Sequence, residues 1–385
     1  MAEGLRLQLE SVSGQKEGWQ DDLGSLHSIG KAEGPDRDRV LQHLYSMPTA
    51  GSGFVYLILL HALWMQEAEE IVASLNSWGL ASRRQEGVLD ARAMRILGIG
   101  DDDSFKAQAL RMRDARAAYL KSSLDDLRQQ HGRQRIFKIE RALAGYLGEA
   151  SVFSSHATQR PKVMFIPGLG TAGFLDPQSH PLASALHRNY LEVQAEFDRV
   201  LNEPRALKPF LGHAGPGTVD GYVTGGTGAS WDAFFFYRHG QRFDDAHQQC
   251  PATSALLDSM DLCRIEGQSP EICFSVLQPG SRIEPHHGVT NARVVIHLPL
   301  RVPPGCRLEL TQVGHHEWIE GEPLVFDDTF EHSAVNPSSM PRGILLMDAW
   351  HPALTLAERE AFRCLIKAVS SIECDRLLPG RGEDV

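Results

Sequence analysis

The sequence predicts an α+β protein, with a helical N-terminal region followed by an all-β sandwich or jelly roll. Three observations carry this. Apolar residues recur at helical spacing between residues 54 and 147. From residue 231 to 349 the pattern changes to short alternating runs broken by turn residues such as Pro303, Pro304 and Gly305. Two histidines, His286 and His332, each sit at the edge of one of those runs.

The chain has 385 residues, enough for two domains with separate cores. Its 42% hydrophobic and 23% charged residues are ordinary for a globular protein. A formal net charge of −11 argues against nucleic acid or an anionic membrane as the main partner. Six cysteines, none in a C-x-x-C pair, fit free thiols in a reducing compartment. With no basic-then-apolar leader, the expected location is cytoplasmic. The most apolar run, 54–64, is shorter than the ~20 residues a membrane span needs and reads as a buried core helix.

In order, residues 1–50 are polar and expected to be partly disordered. Residues 51–150 read as a helical domain, a bundle or repeat-like array. Its central helix covers 54 to about 80, and two more lie within 104–147. Leu120, Leu124 and Leu127 form one stripe, and Ile136, Ile139, Leu143 and Leu147 another; Gly132 separates the two helices and Gly148 ends the second. Such a region either docks a protein partner or serves as scaffold. Residues 149–161 form the linker, and the second domain covers 160–355. It opens on a short strand at 163–166. The G-L-G-T-A-G that follows matches G-x-G-x-x-G, but no helix opens after it, so a dinucleotide site is rejected. A helix is predicted over 181–201. The Gly-rich stretch 203–230 is a lid or a connector. Strands are predicted over 231–237, 271–278, 291–301, 306–312, 322–326 and 342–349. A closing helix from about 356 to 369 starts at a capping box of Thr355 and Glu358, and a tail runs to 385.

Two histidines at strand edges suit a non-haem iron site, which usually adds one carboxylate two residues after the first His. Gly288 occupies that position and has no side chain to ligate anything. The bland alternative is two ordinary polar residues among the chain's 17 histidines. A two-imidazole iron could still take a bidentate keto acid, and Arg342 offers the planar fork that suits its far carboxylate. Glu284 is the best local substitute carboxylate. Asp327 and Asp328 read as turn residues or as residues that orient His332. His287 should face away from His286, and His315 and His316 read as exposed turn residues. No G-x-S-x-G, P-loop or Cys–His signal supports nucleophilic or phosphoryl chemistry.

P-H-H-G-V-T-N-A-R at 285–293, H-L-P-L at 297–300, F-D-D-T-F-E-H at 326–332 and W-H-P at 350–352 resemble the aspartyl/asparaginyl β-hydroxylase family. The resemblance covers roughly half the chain. It implies a C-terminal double-stranded β-helix of jelly-roll, cupin-like type. It also implies an Fe(II)- and 2-oxoglutarate-dependent dioxygenase that uses O2 to hydroxylate the β-carbon of an aspartyl or asparaginyl residue in a peptide or protein. By the same resemblance, His286 and His332 are the iron ligands and Gly288 the vacated position. Ser275 and Arg342 hold the distal carboxylate of 2-oxoglutarate, His297 contacts its other end, and Arg293 reads the substrate's acidic side chain. The family Arg expected two residues after Arg293 is replaced by Val295, on the pocket face between Arg293 and His297. Two rivals stay open: the same chemistry on a free amino acid or natural-product intermediate, and a cupin-like binding module without catalysis.

Overall fold

The computed structural model describes residues 102–203, 206–210, 222–226 and 228–372. The polar N-terminus, the apolar run 54–64, the core of the Gly-rich stretch and the C-terminal tail lie outside these residues. So does any boundary near residue 50. Among the described residues, no helix is long and apolar enough to cross a membrane.

The chain divides into two compact units, one of residues 1–120 with 368–374 and one of 121–367 with 375–385. Helix α1 (Asp102–Ser122) supplies most of what is described of the first. In it, Tyr119 Oη lies 3.0 Å from Ser371 Oγ.

The second unit begins with α2 (Asp125–His131) and α3 (Phe137–Tyr146), joined by a 3-10 turn. Leu124, Leu127, Ile136, Ile139 and Leu143, five of the predicted stripe residues, are buried. Gly132 between the helices has φ +80°, where a side chain would be strained. These helices belong to the same compact unit as the sheets that follow.

The strand predicted at 163–166 is absent. Met164 makes only an isolated parallel bridge to Thr290. The single helix predicted over 181–201 is two, α4 (Pro181–Arg188) and α5 (Tyr190–Leu201), interrupted at Asn189. Helices α6 (Asp244–Gln249) and α7 (Pro251–Asp258) were not anticipated. Helix α8 (Leu356–Ile372) starts as predicted: Glu358 Oε2 accepts the Thr355 amide at 2.9 Å, and Thr355 Oγ1 accepts the Glu358 amide at 3.3 Å.

Thirteen described strands form two antiparallel sheets. The larger runs β1 (Phe174–Leu175), β11 (Leu324–Phe326), β8 (Arg293–Arg301), β13 (Arg342–Trp350), β6 (Ile272–Leu277), β4 (Trp231–Arg238) and β2 (Lys208–Pro209), with β5 (Gln241–Arg242) beside β4. The smaller runs β10 (Gly314–Glu317), β9 (Arg307–Leu310), β12 (His332–Val335), β7 (Ser281–His286) and β3 (Val223–Gly225). His315 and His316 are therefore on a strand, not in a turn.

Period-2 alternation divides the residues of the larger sheet between two cores. Val294, Ile296, Leu298, Leu300, Phe274, Val276, Leu345 and Met347 pack under α4, α5, α6 and α7. The opposite face contributes Val295, Leu277, Leu324 and Phe326 to a second core with Ile283, Leu308, Leu310 and Ala334 of the smaller sheet. The central strands β11, β8, β13 and β6 of the larger sheet are thus buried on both faces. Gly343 belongs to the helix side. A Cβ there would lie 2.0 Å from the Phe197 ring, so only glycine lets α5 approach β13 this closely.

Candidate active site

Between the facing sides of the sheets lies a cavity of about 340 Å³. The same alternation decides what faces it. Strand β8 presents Arg293, Val295 and His297; β13 presents Arg342, Ile344, Leu346 and Asp348; β6 presents Ser275. The smaller sheet presents Ile283, His286, Leu308, His332 and Ala334. Ser275, His286, Arg293, Val295, His297, Asp328, His332 and Arg342, all singled out from the sequence, line this one cavity, whereas Glu284, His287, Gly288, His315, His316 and Asp327 do not.

His286 and His332 are cross-strand partners on β7 and β12, with ring centroids 4.1 Å apart. His286 Nδ1 lies 2.8 Å from the Glu284 carbonyl, and His332 Nδ1 lies 2.9 Å from the Phe330 carbonyl. A carbonyl oxygen only accepts, so both Nδ1 atoms carry the proton and both Nε2 atoms keep a lone pair. Burial, and for His286 the neighbouring His332, lowers their pKa values to about 3 and about 4. Both rings are neutral near pH 7, the state a metal requires.

Asp328 lies at the position left empty by Gly288. A Cβ on Gly288 would come within 2.2 Å of the Asp328 carboxylate, and the Gly288 amide donates to the Asp328 carbonyl at 2.7 Å. The carboxylate fills the space a side chain at 288 would need. Its Oδ1 is buried without a partner, and burial pushes its pKa up to about 6. Asp327, in contrast, is a turn residue: Oδ1 accepts from Thr329, and Oδ2 accepts from Gln159 Nε2 at 2.7 Å. Glu284 is held by Thr224 and Arg282 and does not face the cavity. Among the described residues, no three His, Cys, Asp or Glu donors converge as a metal cluster. The donor set is two imidazoles with a carboxylate nearby.

Arg342 is 1% exposed, and its Nε and Nη1 have no hydrogen-bond partner. Its guanidinium lies 4.8 Å from the centre of the Trp318 ring. Burial lowers its pKa to about 10, so it remains charged at neutral pH. A buried cation without an anion is costly and calls for a ligand that supplies one. Beside it, Ser275 Oγ accepts the Trp231 indole N–H at 2.8 Å, which leaves the serine's own hydrogen to donate. His297, 5% exposed, packs against Phe326 and has an unpartnered Nδ1.

At the other end of β13, Arg293 Nη1 donates to Asp348 Oδ2 at 2.5 Å and to Ser269 Oγ at 2.9 Å. Asp348 Oδ1 accepts the Glu271 amide at 3.0 Å. The Glu271 side chain lines the cavity here and accepts the His239 amide at 2.9 Å. Burial raises its pKa to about 7. Sequence reasoning missed Glu271, which stands one residue before β6 where no motif marks it. Phe210 and Trp231, stacked at 3.8 Å, add an aromatic wall.

Residues 187–352 match the family described as Aspartyl/Asparaginyl beta-hydroxylase. Among curated proteins, the chain is 34% identical over 237 residues to Aspartate beta-hydroxylase domain-containing protein 2 of Homo sapiens, covering 60% of each chain. It is 31% identical over 236 residues to Aspartate beta-hydroxylase domain-containing protein 1 of Homo sapiens, covering 58% of this chain and 56% of that protein. With Aspartyl/asparaginyl beta-hydroxylase of Mus musculus it shares 36% identity over 135 residues, 34% of this chain and 18% of that protein. The chain spans less than two thirds of the length of these relatives. Among solved structures, a prolyl-4-hydroxylase from Pseudomonas putida aligns over 47% of this chain and 94% of that one. Its TM-score is 0.27 at 17% sequence identity, a likeness too slight to argue from.

Proposed function

We propose that this chain, whose residues 187–352 match the aspartyl/asparaginyl β-hydroxylase family, is an Fe(II)- and 2-oxoglutarate-dependent dioxygenase. Its reaction is hydroxylation of the β-carbon of an aspartyl or asparaginyl residue in a peptide or protein. On this reading the two facing sheets are the halves of a double-stranded β-helix. The observation that carries the proposal is the buried, unpartnered Arg342 in the same cavity as the histidine pair.

The residues fit the group they would hold. His286 and His332 offer two unprotonated Nε2 atoms, and Gly288 contributes no third ligand. Bound iron would supply oxygen activation at the expense of 2-oxoglutarate, which leaves as succinate and carbon dioxide while one oxygen atom enters a C–H bond. Arg342 and the Ser275 hydroxyl hold the distal carboxylate, the first with charge and the second with a directed hydrogen. His297 contacts the other end of the keto acid. Asp328 offers an acceptor beside the position vacated at Gly288. Apolar Ile344, Leu346 and Phe326 exclude water from the space between.

Titrating the protein with 2-oxoglutarate, with and without Mn(II) as a redox-silent substitute, tests this. Wild type binds the keto acid in a metal-dependent way. His286→Ala and His332→Ala each lose stoichiometric metal. Succinate release follows when Fe(II), oxygen and substrate are supplied. No binding of 2-oxoglutarate at any metal loading would overturn the reading in favour of a non-catalytic module.

A further inference from the structure

We infer that the substrate group seated at the Glu271 end of the cavity is an N–H donor, an amide or an amine, and not a carboxylate. This deepens the proposed function and rests on it: the Arg342 end takes the cosubstrate, so the Glu271 end is left for the substrate.

Arg342 and Asp348 stand at opposite ends of the cavity face of β13, roughly 20 Å apart at ~3.3 Å per residue. Around Asp348 and Glu271 three side chains can carry positive charge: Arg293, Arg238 and His239, whose Nδ1 lies 3.7 Å from Glu271 Oε2. Arg293 is bound to Asp348 and Ser269. Arg238 lies over the Phe235 ring at 4.9 Å and donates to the Phe210 carbonyl. Val295, opposite Asp348 on β8, brings no charge. The Glu271 carboxylate faces this space, and its amide is tied to the same Asp348 that neutralises Arg293.

A second carboxylate brought here meets Glu271 in a site walled by protein, where like charges repel strongly. The charge of Arg293 is already balanced by Asp348, and Arg238 is held against the Phe235 ring. An amide or ammonium group donates to Glu271 and keeps it ionised. Burial raises the pKa of this carboxyl, and donors facing it lower it again. An asparaginyl side chain donates its N–H to Glu271 and brings no second negative charge.

The test uses full-length protein loaded with Mn(II) and 2-oxoglutarate under anaerobic conditions. Binding is measured for three short peptides that differ at one residue: aspartate, asparagine or 2,4-diaminobutyrate. Wild type should bind the asparagine and diaminobutyrate peptides at least about tenfold more tightly than the aspartate peptide. Glu271→Gln, which keeps an acceptor for the His239 amide, should bring aspartate and asparagine within about twofold, and Glu271→Asp should restore the gap. With Fe(II) and oxygen the same order should appear in KM more than in kcat. Tightest binding of the aspartate peptide, a gap that Glu271→Gln leaves unchanged, or failure of all three peptides to bind overturns the inference. If 2-oxoglutarate itself does not bind, the proposed function fails first, and that outcome is distinct from the other three.

Discussion

At one end of β13, Arg342 is buried with two guanidinium nitrogens unpartnered; at the other, Arg293 is partly buried and fixed to Asp348 at 2.5 Å. Both arginines face the same cavity. The difference separates a cation that waits for a ligand from one that completes the wall. Charge type read along the sequence does not make this distinction. The partner on the neighbouring strand does.

Opposite responses to one substitution would sharpen the contrast. Arg293→Met leaves Asp348 as an uncompensated buried anion and should destabilise the protein by about 3–5 kcal/mol in urea unfolding. Arg342→Met removes an unpaired buried charge and should stabilise the ligand-free protein by on the order of 2 kcal/mol. It should also weaken 2-oxoglutarate binding by about 2–5 kcal/mol while metal is retained. Stability changes of the same sign in both variants would break the comparison.

A smaller effect is expected at Val295. Restoring a guanidinium with Val295→Arg should tighten 2-oxoglutarate by up to roughly 1–3 kcal/mol if the new side chain turns toward the keto acid. Position 295 pairs in register with Asp348, so that carboxylate competes for it. Calorimetric titration of the Mn(II)-loaded variant reads the outcome, and unchanged affinity would mean that Asp348 has captured it.

The effect of acid is the most gradual, spread over several pH units. His286, His332 and His351 have pKa values lowered to between about 3 and about 4, against 6.5 for a free imidazole. Each binds its proton more weakly when folded. Nothing is lost above pH 6.5, and stability falls as pH drops below 6.5 toward the folded values. The slope contributed by each approaches about 1.4 kcal/mol per pH unit once the unfolded state is protonated. Metal-free protein should therefore show a falling unfolding midpoint below pH 6, and Mn(II) should hold the midpoint up until it is displaced.

The strands of the site were legible because alternation in R-V-V-I-H-L and R-G-I-L-L-M-D survives burial on both faces: every polar residue points to the cavity, beside Val295, Ile344 and Leu346, and the helix face holds none. The ligand pair and Arg342 could be named because strand edges and residue chemistry coincide there. Asp328 could not be assigned. Its position over Gly288 depends on a turn bringing together residues forty positions apart in sequence, and no local pattern encodes that approach. The pairing of Arg293 with Asp348 is a contact between neighbouring strands far apart in sequence and was hidden for the same reason. Helix α6, with two aspartates and two glutamines in six residues, has too few apolar positions to show a period. The apolar run 163–166 misled because hydrophobicity alone does not supply a partner strand.

Each imidazole of the pair is oriented by a carbonyl two residues earlier on its own chain segment, Glu284 for His286 and Phe330 for His332. The instruction that aims each ring is therefore contained in three consecutive residues, and no distant acid has to be kept in place to preserve it. Such a mount can be transplanted. Walls of different charge can be raised around it, as Val295 and Glu271 are here, without re-aiming the two lone pairs at the centre.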